Sequence, residues 1–278
     1  MQVLSTIESV QELLSDWRKE DQTIALVPTM GGLHNGHLSL VGMAKSNADK
    51  TVVSIFLNPT QFGKGEDFDS YPRTIDSDLI ELDNCKVDAV FIPETEQIYP
   101  PEWSFNYDIG ELSTILCGKS RPNFFNGVAQ AVYRLFDIVK PDIAVFGQKD
   151  YQQLFIIKRM VEQLSLGVVV LTHSTVREGD ELAMSTRNQY LSSEERAVAP
   201  QLYKILERTR QDYLLSSSVI DLKKDMHSDL EKYFDLDYAE IVDANTLKQI
   251  TDNTTEIAIL CAVLLGSTRL IDNIIFWR

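Results

Sequence analysis

A short segment directly after the apolar run TIALV concentrates residues that could bind an anion. Residues 28–37 read PTMGGLHNGH and hold three of the chain's 13 glycines and two of its 4 histidines. Glycines let a backbone turn sharply and approach a ligand closely. His34 and His37 are three residues apart, so one helical turn would point both imidazoles the same way. Such imidazoles, together with the N–H groups of a helix N-terminus, suit a phosphate.

Two other interpretations of this segment stay open. The histidines could be incidental to a surface turn, or they could ligate zinc, which accepts imidazoles at this spacing. The two remaining histidines, His173 and His227, are distant in sequence, and no cysteine cluster accompanies them. Zinc is therefore the weaker alternative.

Further polar segments follow other apolar runs. GQKDYQQ places Lys149 just past one run, where a compact cation suits phosphate. MSTRN offers the guanidinium of Arg187 together with the hydroxyls of Ser185 and Thr186. Solvated surface residues in loops are the alternative for both segments. Neutral amides, which suit hydroxyls and carbonyls, occupy similar positions: Asn58, Gln61, Gln152 and Gln153.

Strands and helices alternate through the region that carries most of these residues. Near-continuous apolar runs of strand length and amphipathic runs of helix length indicate the two element types. Strands are predicted at 23–29, 50–62 (ended by Asn58-Pro59), 88–94, 142–147 and 168–176. Helices are predicted at 6–20, 37–49, 76–87, 129–141 and 150–166.

This alternation predicts an α/β fold, a doubly wound parallel sheet covered by helices on both faces. Ligands of such sheets bind outside the carboxyl ends of the strands. Four strand ends here carry polar, glycine-containing or cationic segments. We expect them to converge on one cleft.

The chain changes character near residues 176–190, where we place a boundary. Residues 192–232 predict two helices, and 234–250, 256–266 and 268–277 predict short strands with their connections. The serines at 216–218 predict a loop. This region is expected to form a smaller C-terminal α+β unit.

Composition bounds the possible functions. Apolar residues make up 44% of the 278 residues, the net charge is −15, and such an acidic surface disfavours nucleic acid. The three cysteines are far apart and predict neither a disulfide framework nor a zinc cluster. The chain shows neither a secretory signal nor an apolar run long enough to span a membrane. A cytoplasmic protein without a membrane partner is expected.

The motifs in their order resemble the pantothenate synthetase family. His34-Asn35-Gly36-His37 is similar to the His-x-Gly-His signature of adenylyl-transferring enzymes, and MSTRN to the mobile loop of that superfamily. The narrower resemblance rests on VVSIFLNPTQF, YPRT, FGQKDYQQL, TVRE…LAMSTRNQYL and GSTRLIDN, and it covers residues 20–276.

The resemblance implies a Rossmann-like domain at 1–180 that binds ATP and pantoate, and a lid domain at 181–278. It implies that pantoate and ATP, with Mg²⁺, form pantoyl adenylate, which β-alanine converts to pantothenate and AMP. It also implies a homodimer.

Site residues follow from matching motif positions. His34 and His37 would lie near the phosphates, His37 as a proton donor, with Lys149 and Arg187 also on phosphate. Gln61 and Gln153, beside Asn58, would hold pantoate and border β-alanine. The ATP-binding residues would be Met30, Gly31, Gly32, Leu33, His34, Asn35, Gly36, His37, Gly147, Gln148, Lys149, Asp150, Val176, Met184, Ser185, Thr186 and Arg187.

Three positions depart from the family pattern. Gly32 replaces the common Ala, Thr186 a Ser, and Phe124 the usual His of an Arg-Pro-x-His-Phe motif, which removes any polar role there. Asp76 and Asp78 could assist magnesium or could be a solvated helix start, so the metal ligands stay unassigned.

Two other functions remain to be tested against the ligase. A different adenylyl transferase acting on a phosphorylated substrate would need an extra cation, and a non-catalytic module would bind ATP without turnover. A tRNA-charging enzyme is disfavoured because no basic domain is appended.

Overall fold

The computed structural model describes residues 1–215 and 218–278. Ser216 and Ser217 of the predicted serine loop lie outside the described residues. The chain forms two compact units. The first comprises Met1–Gln148 and Gln152–Ser174, and the second comprises Lys149–Tyr151 and Thr175–Arg278.

The first unit is built on a six-stranded sheet in which every neighbouring pair is parallel. Its strands are β1 Gln2–Leu4, β2 Ile24–Thr29, β3 Lys50–Ile55, β4 Ala89–Phe91, β5 Ile143–Gly147 and β6 Val169–His173. The helices along this part of the chain are α1 Ile7–Lys19, α2 Asn35–Asn47, α3 Ile75–Asn84, α4 Thr95–Ile98, α5 Cys117–Ser120, α6 Phe124–Val139 and α7 Tyr151–Gln163. The predicted doubly wound α/β fold is confirmed. β1 was not predicted, because three residues are too few to show a period.

The burial of these elements explains why the apolar pattern of the sequence predicted them. β2 and β3 are buried along nearly their whole length, as strands covered on both faces must be. α1 begins at the Thr6 cap, which accepts a hydrogen bond from the Ser9 N–H, and it buries Val10, Leu14 and Trp17. The apolar residues of α2 and α3 pack with those of the central strands into one core.

The strand order β1-β4-β3-β2-β5-β6 places the topological switch between β2 and β5. The chain leaves β2 toward β3 on one side, whereas β5 and β6 lie on the other. The carboxyl ends of β2 and β5 are thus neighbours at the position where parallel sheets bind ligands. The glycine–histidine segment follows β2, and Gly147 ends β5.

The second unit holds an antiparallel sheet in the order β7-β8-β9. These strands are β7 Asp235–Asp243, β8 Glu256–Leu265 and β9 Thr268–Trp277, and the helices are α8 Ser193–Val198, α9 Gln201–Leu214 and α10 Val219–Leu230. The three predicted strands are present, but they run for nine, ten and ten residues and are longer than predicted. Three helices occupy the region in which two were predicted. The first predicted helix is divided before Pro200, which has no N–H to donate.

In the described part of the chain, none of the helices is long and apolar enough to cross a bilayer.

Helix α6 approaches the 3-10 turn Pro59–Gln61 closely at Gly127. A Cβ built at Gly127 would overlap the Thr60 carbonyl and lie 2.8 Å from the Gln61 nitrogen. Backbone atoms cannot move aside as a flexible side chain can. The close approach therefore requires glycine at this helix position.

We expect Gly127→Ala to lower the free energy of unfolding by about 1–3 kcal/mol through overpacking. Gly42→Ala is the matched control, since Gly42 is an exposed position of α2 with no atom near a built Cβ. The control should raise stability by up to about 1 kcal/mol through helix propensity. Urea unfolding followed by circular dichroism measures both, and an equal gain in both variants would contradict the close approach.

Candidate active site

The loop after β2 contains two consecutive glycines in the left-handed region. Gly31 has φ +82° and Gly32 has φ +63°, which side chains of L residues rarely tolerate. A Cβ at Gly31 would lie 3.1 Å from both an Asp78 carboxylate oxygen and Ile55 Cγ2. The two glycines therefore allow the backbone to turn sharply next to the buried carboxylate of Asp78.

Asp78 holds this turn in place. Its side chain is buried, and its two carboxylate oxygens accept hydrogen bonds from the N–H groups of Gly32 and Leu33, each at 2.9 Å. Thr74 Oγ1 donates a third hydrogen bond at 3.1 Å. The solvated helix start does not describe Asp78, because its carboxylate is buried and bonded to the loop. Asp76, on the same helix, is exposed.

The two histidines cap helix α2. His34 Nδ1 accepts from the Gly36 N–H at 3.1 Å, and His37 Nδ1 accepts from the His34 N–H at 3.3 Å. The ring centroids lie 4.1 Å apart, so the predicted common orientation is confirmed. A nitrogen that accepts carries no hydrogen, so the hydrogen of each neutral imidazole lies on Nε2.

Asn58 organises the amides that follow β3. It is 1% exposed, and its Nδ2 donates to Gln61 Oε1 at 3.1 Å and to the Gly127 carbonyl at 3.0 Å. Its Oδ1 accepts from Thr60 Oγ1 at 2.8 Å and from the Tyr99 hydroxyl at 2.9 Å. Burial raises the pKa of Tyr99 to about 12, so this hydroxyl keeps its hydrogen. Both amide hydrogens of Asn58 are used within the protein, which makes it a support for Gln61.

Gln61 joins this amide cluster to the glycine loop. Its Nε2 donates to Met30 Sδ at 2.8 Å, at the start of the loop. Two candidate positions from the sequence are therefore in direct contact.

The neighbouring glutamines of α7 differ in kind. Gln152 is buried and donates to the carbonyls of Leu112 and Ile115, both at 2.9 Å, while its oxygen accepts from the Cys117 N–H at 3.1 Å. It fastens a loop to α7. Gln153 is half-buried and has no hydrogen-bond partner in the part of the chain that the structure describes, so its amide is available to a ligand.

Arg121 is a neighbour of Gln61 that sequence reasoning missed. Its guanidinium forms two hydrogen bonds of 2.6 Å to the Glu66 carboxylate and contacts the Gln61 carbonyl at 3.4 Å. The Phe124 ring lies under it at 3.6 Å. The phenyl group that replaces the family's usual histidine thus packs on a cation.

In the second unit, Lys149 lies in a half-buried position. Its Nζ donates to the Met184 carbonyl at 3.0 Å, and its own carbonyl accepts from Asn273 Nδ2 at 2.8 Å. Burial lowers the pKa of Lys149. Lys149 and the start of the predicted mobile loop are therefore in contact.

A buried ion pair supports this region. Arg177 donates to both oxygens of Asp272 at 2.7 and 2.9 Å, and also to the Glu181 carbonyl at 3.1 Å. Burial raises the pKa of Asp272, although the Arg177 guanidinium opposes that shift. Asp272 also accepts from the Asn273 N–H, and the Asn273 side chain in turn donates to the Lys149 carbonyl.

The loop that begins at Met184 is fastened at both ends. The Met184 N–H donates to the Val176 carbonyl at 2.9 Å. Ser185 caps the 3-10 turn Thr186–Tyr190 by accepting from the Arg187 N–H at 3.3 Å. Asn188 Nδ2 donates to Glu178 at 2.7 Å and to the Ala183 carbonyl at 3.1 Å.

The remaining candidates lie at strand and helix ends. Asn35 and Gly36 open α2, Gly147 ends β5, and Gln148, Lys149 and Asp150 form a single 3-10 turn. Among residues 1–215 and 218–278, no group of three or more His, Cys, Asp or Glu could hold a metal ion.

The fold and the loop define a class: an α/β protein with a glycine–histidine loop at the switch point of a parallel sheet, the position where such sheets bind ligands. Comparison with known proteins narrows this class. The family model for pantoate-beta-alanine ligase matches residues 2–275.

Relatives and solved structures agree with the family model. A pantothenate synthetase from Vesicomyosocius okutanii is 56% identical over 269 residues, 97% of this chain and 95% of that protein. The crystal structure of pantothenate synthetase from Thermus thermophilus superposes with TM-score 0.92 at 39% identity, covering 99% of both chains. The Francisella tularensis pantoate-beta-alanine ligase, complexed with beta-gamma ATP and beta-alanine, superposes with TM-score 0.82 at 34% identity, covering 99% of this chain and 97% of that one.

The chain belongs to the pantoate–β-alanine ligase family, also named pantothenate synthetase, and it is an enzyme of that ligase class. The resemblance that the sequence motifs indicated is confirmed.

We expect Asp78→Asn to loosen the glycine loop. An amide has one acceptor oxygen in place of two, so one buried backbone N–H loses its partner at a cost of about 1–3 kcal/mol. Hydrogen exchange at Gly32 and Leu33 should accelerate, and the free energy of unfolding should fall. Asp76→Asn, at an exposed position of the same helix, should change neither quantity; equal effects of the two substitutions would contradict the role of Asp78.

Proposed function

We propose that this chain condenses pantoate with β-alanine at the expense of ATP, through an enzyme-bound pantoyl adenylate. A pantoate carboxylate oxygen attacks the α-phosphorus of ATP and displaces pyrophosphate. The β-alanine amine then attacks the acyl carbon, the bond to AMP breaks, and the amine loses a proton. Family membership over residues 2–275 carries this proposal. The bound ligands of the Francisella relative, ATP and β-alanine, support it.

The glycine–histidine loop is proposed to receive the phosphates. A carboxylate and a triphosphate repel each other, so the enzyme must offset negative charge where they meet. The imidazoles of His34 and His37 are proposed to hydrogen-bond phosphate oxygens as negative charge moves to the pyrophosphate. His37 is the proposed proton donor. The whole segment Met30–His37 would line the nucleotide.

Neutral amides are proposed to hold pantoate. Gln61, fixed by Asn58 and Met30, and Gln153, whose amide has no intramolecular partner in the described chain, can bind hydroxyl and carboxylate groups without a lasting ion pair. Gln61 would also border β-alanine. Asn58, saturated by protein contacts, acts on substrate through Gln61.

Residues of the second unit are also proposed to bind ATP. Lys149 and Arg187 supply positive charge for the phosphates, and the backbone of Val176 contacts adenine. The further proposed ATP-binding residues are Gly147, Gln148, Asp150, Met184, Ser185 and Thr186.

Mg²⁺ is proposed to enter as part of the Mg·ATP substrate. Magnesium usually keeps several waters and binds mostly through substrate phosphates. The Asp78 carboxylate is instead proposed to support the loop to which it is bonded. A homodimer and a cytoplasmic location, expected from the sequence, remain predictions.

The decisive assay supplies ATP, magnesium and pantoate with and without β-alanine, and follows AMP and pantothenate. Pantothenate should form only when all substrates are present. ATP binding without turnover would favour the non-catalytic module, and turnover only with a phosphorylated substrate would favour another adenylyl transferase. AMP formation that ignores both pantoate and β-alanine would refute the ligase.

His37→Ala should lower kcat at least tenfold, equivalent to about 1.4 kcal/mol of transition-state stabilisation. The reason is loss of the Nε2–H donor at the reacting phosphate. Lys158→Ala, at an exposed position of α7, is the control and should retain wild-type turnover. A folded His37→Ala variant with wild-type kcat would remove His37 from the mechanism.

The pH profile should report Lys149. Its pKa is lowered by burial, a shift that Arg187 and Arg177 reinforce while Asp150 and Asp272 oppose it. The lysine charge is therefore present at low pH and is lost, as pH rises, earlier than for an ordinary lysine. We expect kcat/KM for ATP to fall on that alkaline limb, and Lys149→Arg to move the fall to higher pH. An identical alkaline limb in the arginine variant would exclude Lys149 as its source.

A further inference from the structure

The loop that begins at Met184 lies between two stems of the second unit. We call residues 184–191 the Met184 loop. The first stem, residues 177–183, is a short hairpin whose two ends form an antiparallel bridge. The second stem is helix α8, which begins after the Ser192 cap. The position of the Met184 loop therefore depends on how these two stems are held together.

Arg196, on α8, joins the two stems. One of its terminal nitrogens donates to Asp180 at 2.6 Å, and the other donates to Glu178 at 2.6 Å and to Asp180 at 3.2 Å. Both carboxylates belong to the hairpin, 16 and 18 residues before the arginine. A guanidinium can serve two carboxylates at once because its N–H donors form a planar fork. The stretch of chain that contains the Met184 loop is thereby closed at its base.

Glu178 connects Arg196 to the loop itself. One Glu178 oxygen accepts from Arg196, and the other accepts from Asn188 Nδ2 at 2.7 Å. Asn188 directly follows Arg187, and its N–H donates to the Ser185 carbonyl at 3.0 Å. Arg196, Glu178 and Asn188 thus form a continuous series of hydrogen bonds from α8 to the middle of the Met184 loop.

This network differs from an ordinary surface ion pair. The side chains of Arg196 and Glu178 are 31% and 30% exposed, and isolated ion pairs at such positions contribute little to stability. Here one cation serves two carboxylates, and the hydrogen bond from Arg196 lowers the pKa of Asp180. Joining the stems also limits the conformations that the intervening loop can adopt. We therefore expect the network to act on the order of the loop rather than on global stability.

We propose that Arg196 is a positioning residue that acts through Glu178 and Asn188 to hold the Met184 loop ordered before ATP binds. This inference rests on the proposed role of the loop in ATP binding. A protein whose binding-competent state is only partly populated binds its ligand with an affinity reduced by that fraction. Loss of Arg196 therefore weakens ATP binding, whereas saturating ATP restores the ordered loop. The loop that the family resemblance implied to be mobile is thus fastened in this chain.

The first test compares Arg196→Met with Arg210→Met. Arg210 is the matched control, because its side chain is 30% exposed and pairs with Glu207 within α9, away from the two stems. Arg196→Met should raise the KM for ATP about tenfold and keep kcat at saturating ATP within about twofold of wild type. Arg210→Met should retain both wild-type values. An unchanged KM for ATP in Arg196→Met, or equal effects of the two substitutions, would contradict the proposal.

A double-mutant cycle tests whether Arg196 acts through Asn188. Asn188→Ala should itself weaken ATP binding in calorimetry, because it removes the hydrogen bond to Glu178. Arg196→Met should then cost several-fold less affinity in the Asn188→Ala background than it does alone, since residues of one network are not additive. Equal losses in the two backgrounds would show that Arg196 does not act through Asn188 and would overturn the proposal.

Hydrogen exchange of the protein without ATP gives a measurement that needs no activity. The N–H groups of Asn188 and Leu191 donate to carbonyls within the loop, so they should be protected in wild type and exchange about tenfold faster in Arg196→Met. Amides of β8 should exchange equally in both proteins, which shows that the variant is folded. Loop amides that exchange freely in wild type would overturn the proposal. Protected loop amides with normal ATP binding but no pantothenate formation would refute the ligase and uphold the role of Arg196.

Discussion

The buried carboxylate of Asp78 is the contact on which the glycine–histidine loop depends. It accepts from the N–H groups of Gly32 and Leu33, two donors that the sharp turn would otherwise leave without partners in the protein interior. An unpaired buried N–H would cost about 1–3 kcal/mol, comparable with a large part of a domain's net stability. The left-handed glycines and the carboxylate therefore fix the conformation of the loop together. Together they set where α2 begins, and so where the two imidazoles lie.

The same solution recurs wherever a proposed binding residue needs a fixed position. Asn58 saturates its own amide with protein contacts and thereby orients Gln61. Asp272 accepts hydrogen bonds from Arg177 and from the backbone of Asn273, whose side chain donates to the Lys149 carbonyl. In each case a buried polar group with several hydrogen bonds inside the protein supports a less buried group that is proposed to bind a ligand. Such support keeps a site organised before substrate arrives, which reduces the reorganisation that the reaction must supply.

The division between charged and neutral groups follows from the proposed chemistry. Phosphates gain from imidazole donors and cations, because negative charge moves toward the leaving pyrophosphate. The pantoate carboxylate must instead stay reactive, since its own oxygen is the proposed nucleophile. Neutral glutamines can position it without the stabilisation that a salt bridge would give its ground state. No nucleophilic side chain is required, and the residues proposed here supply position and charge.

The sequence by itself determined the fold class, the strand ends at which polar residues gather, and the glycine–histidine loop, because hydrophobic period and backbone freedom are local properties. The tertiary structure determined which side chains contact each other. It showed that Asp78 supports the loop, that Gln152 is structural while Gln153 is available, and that Arg121 packs on Phe124. These features join residues far apart in sequence, and no local period encodes which distant donor a buried acceptor will meet.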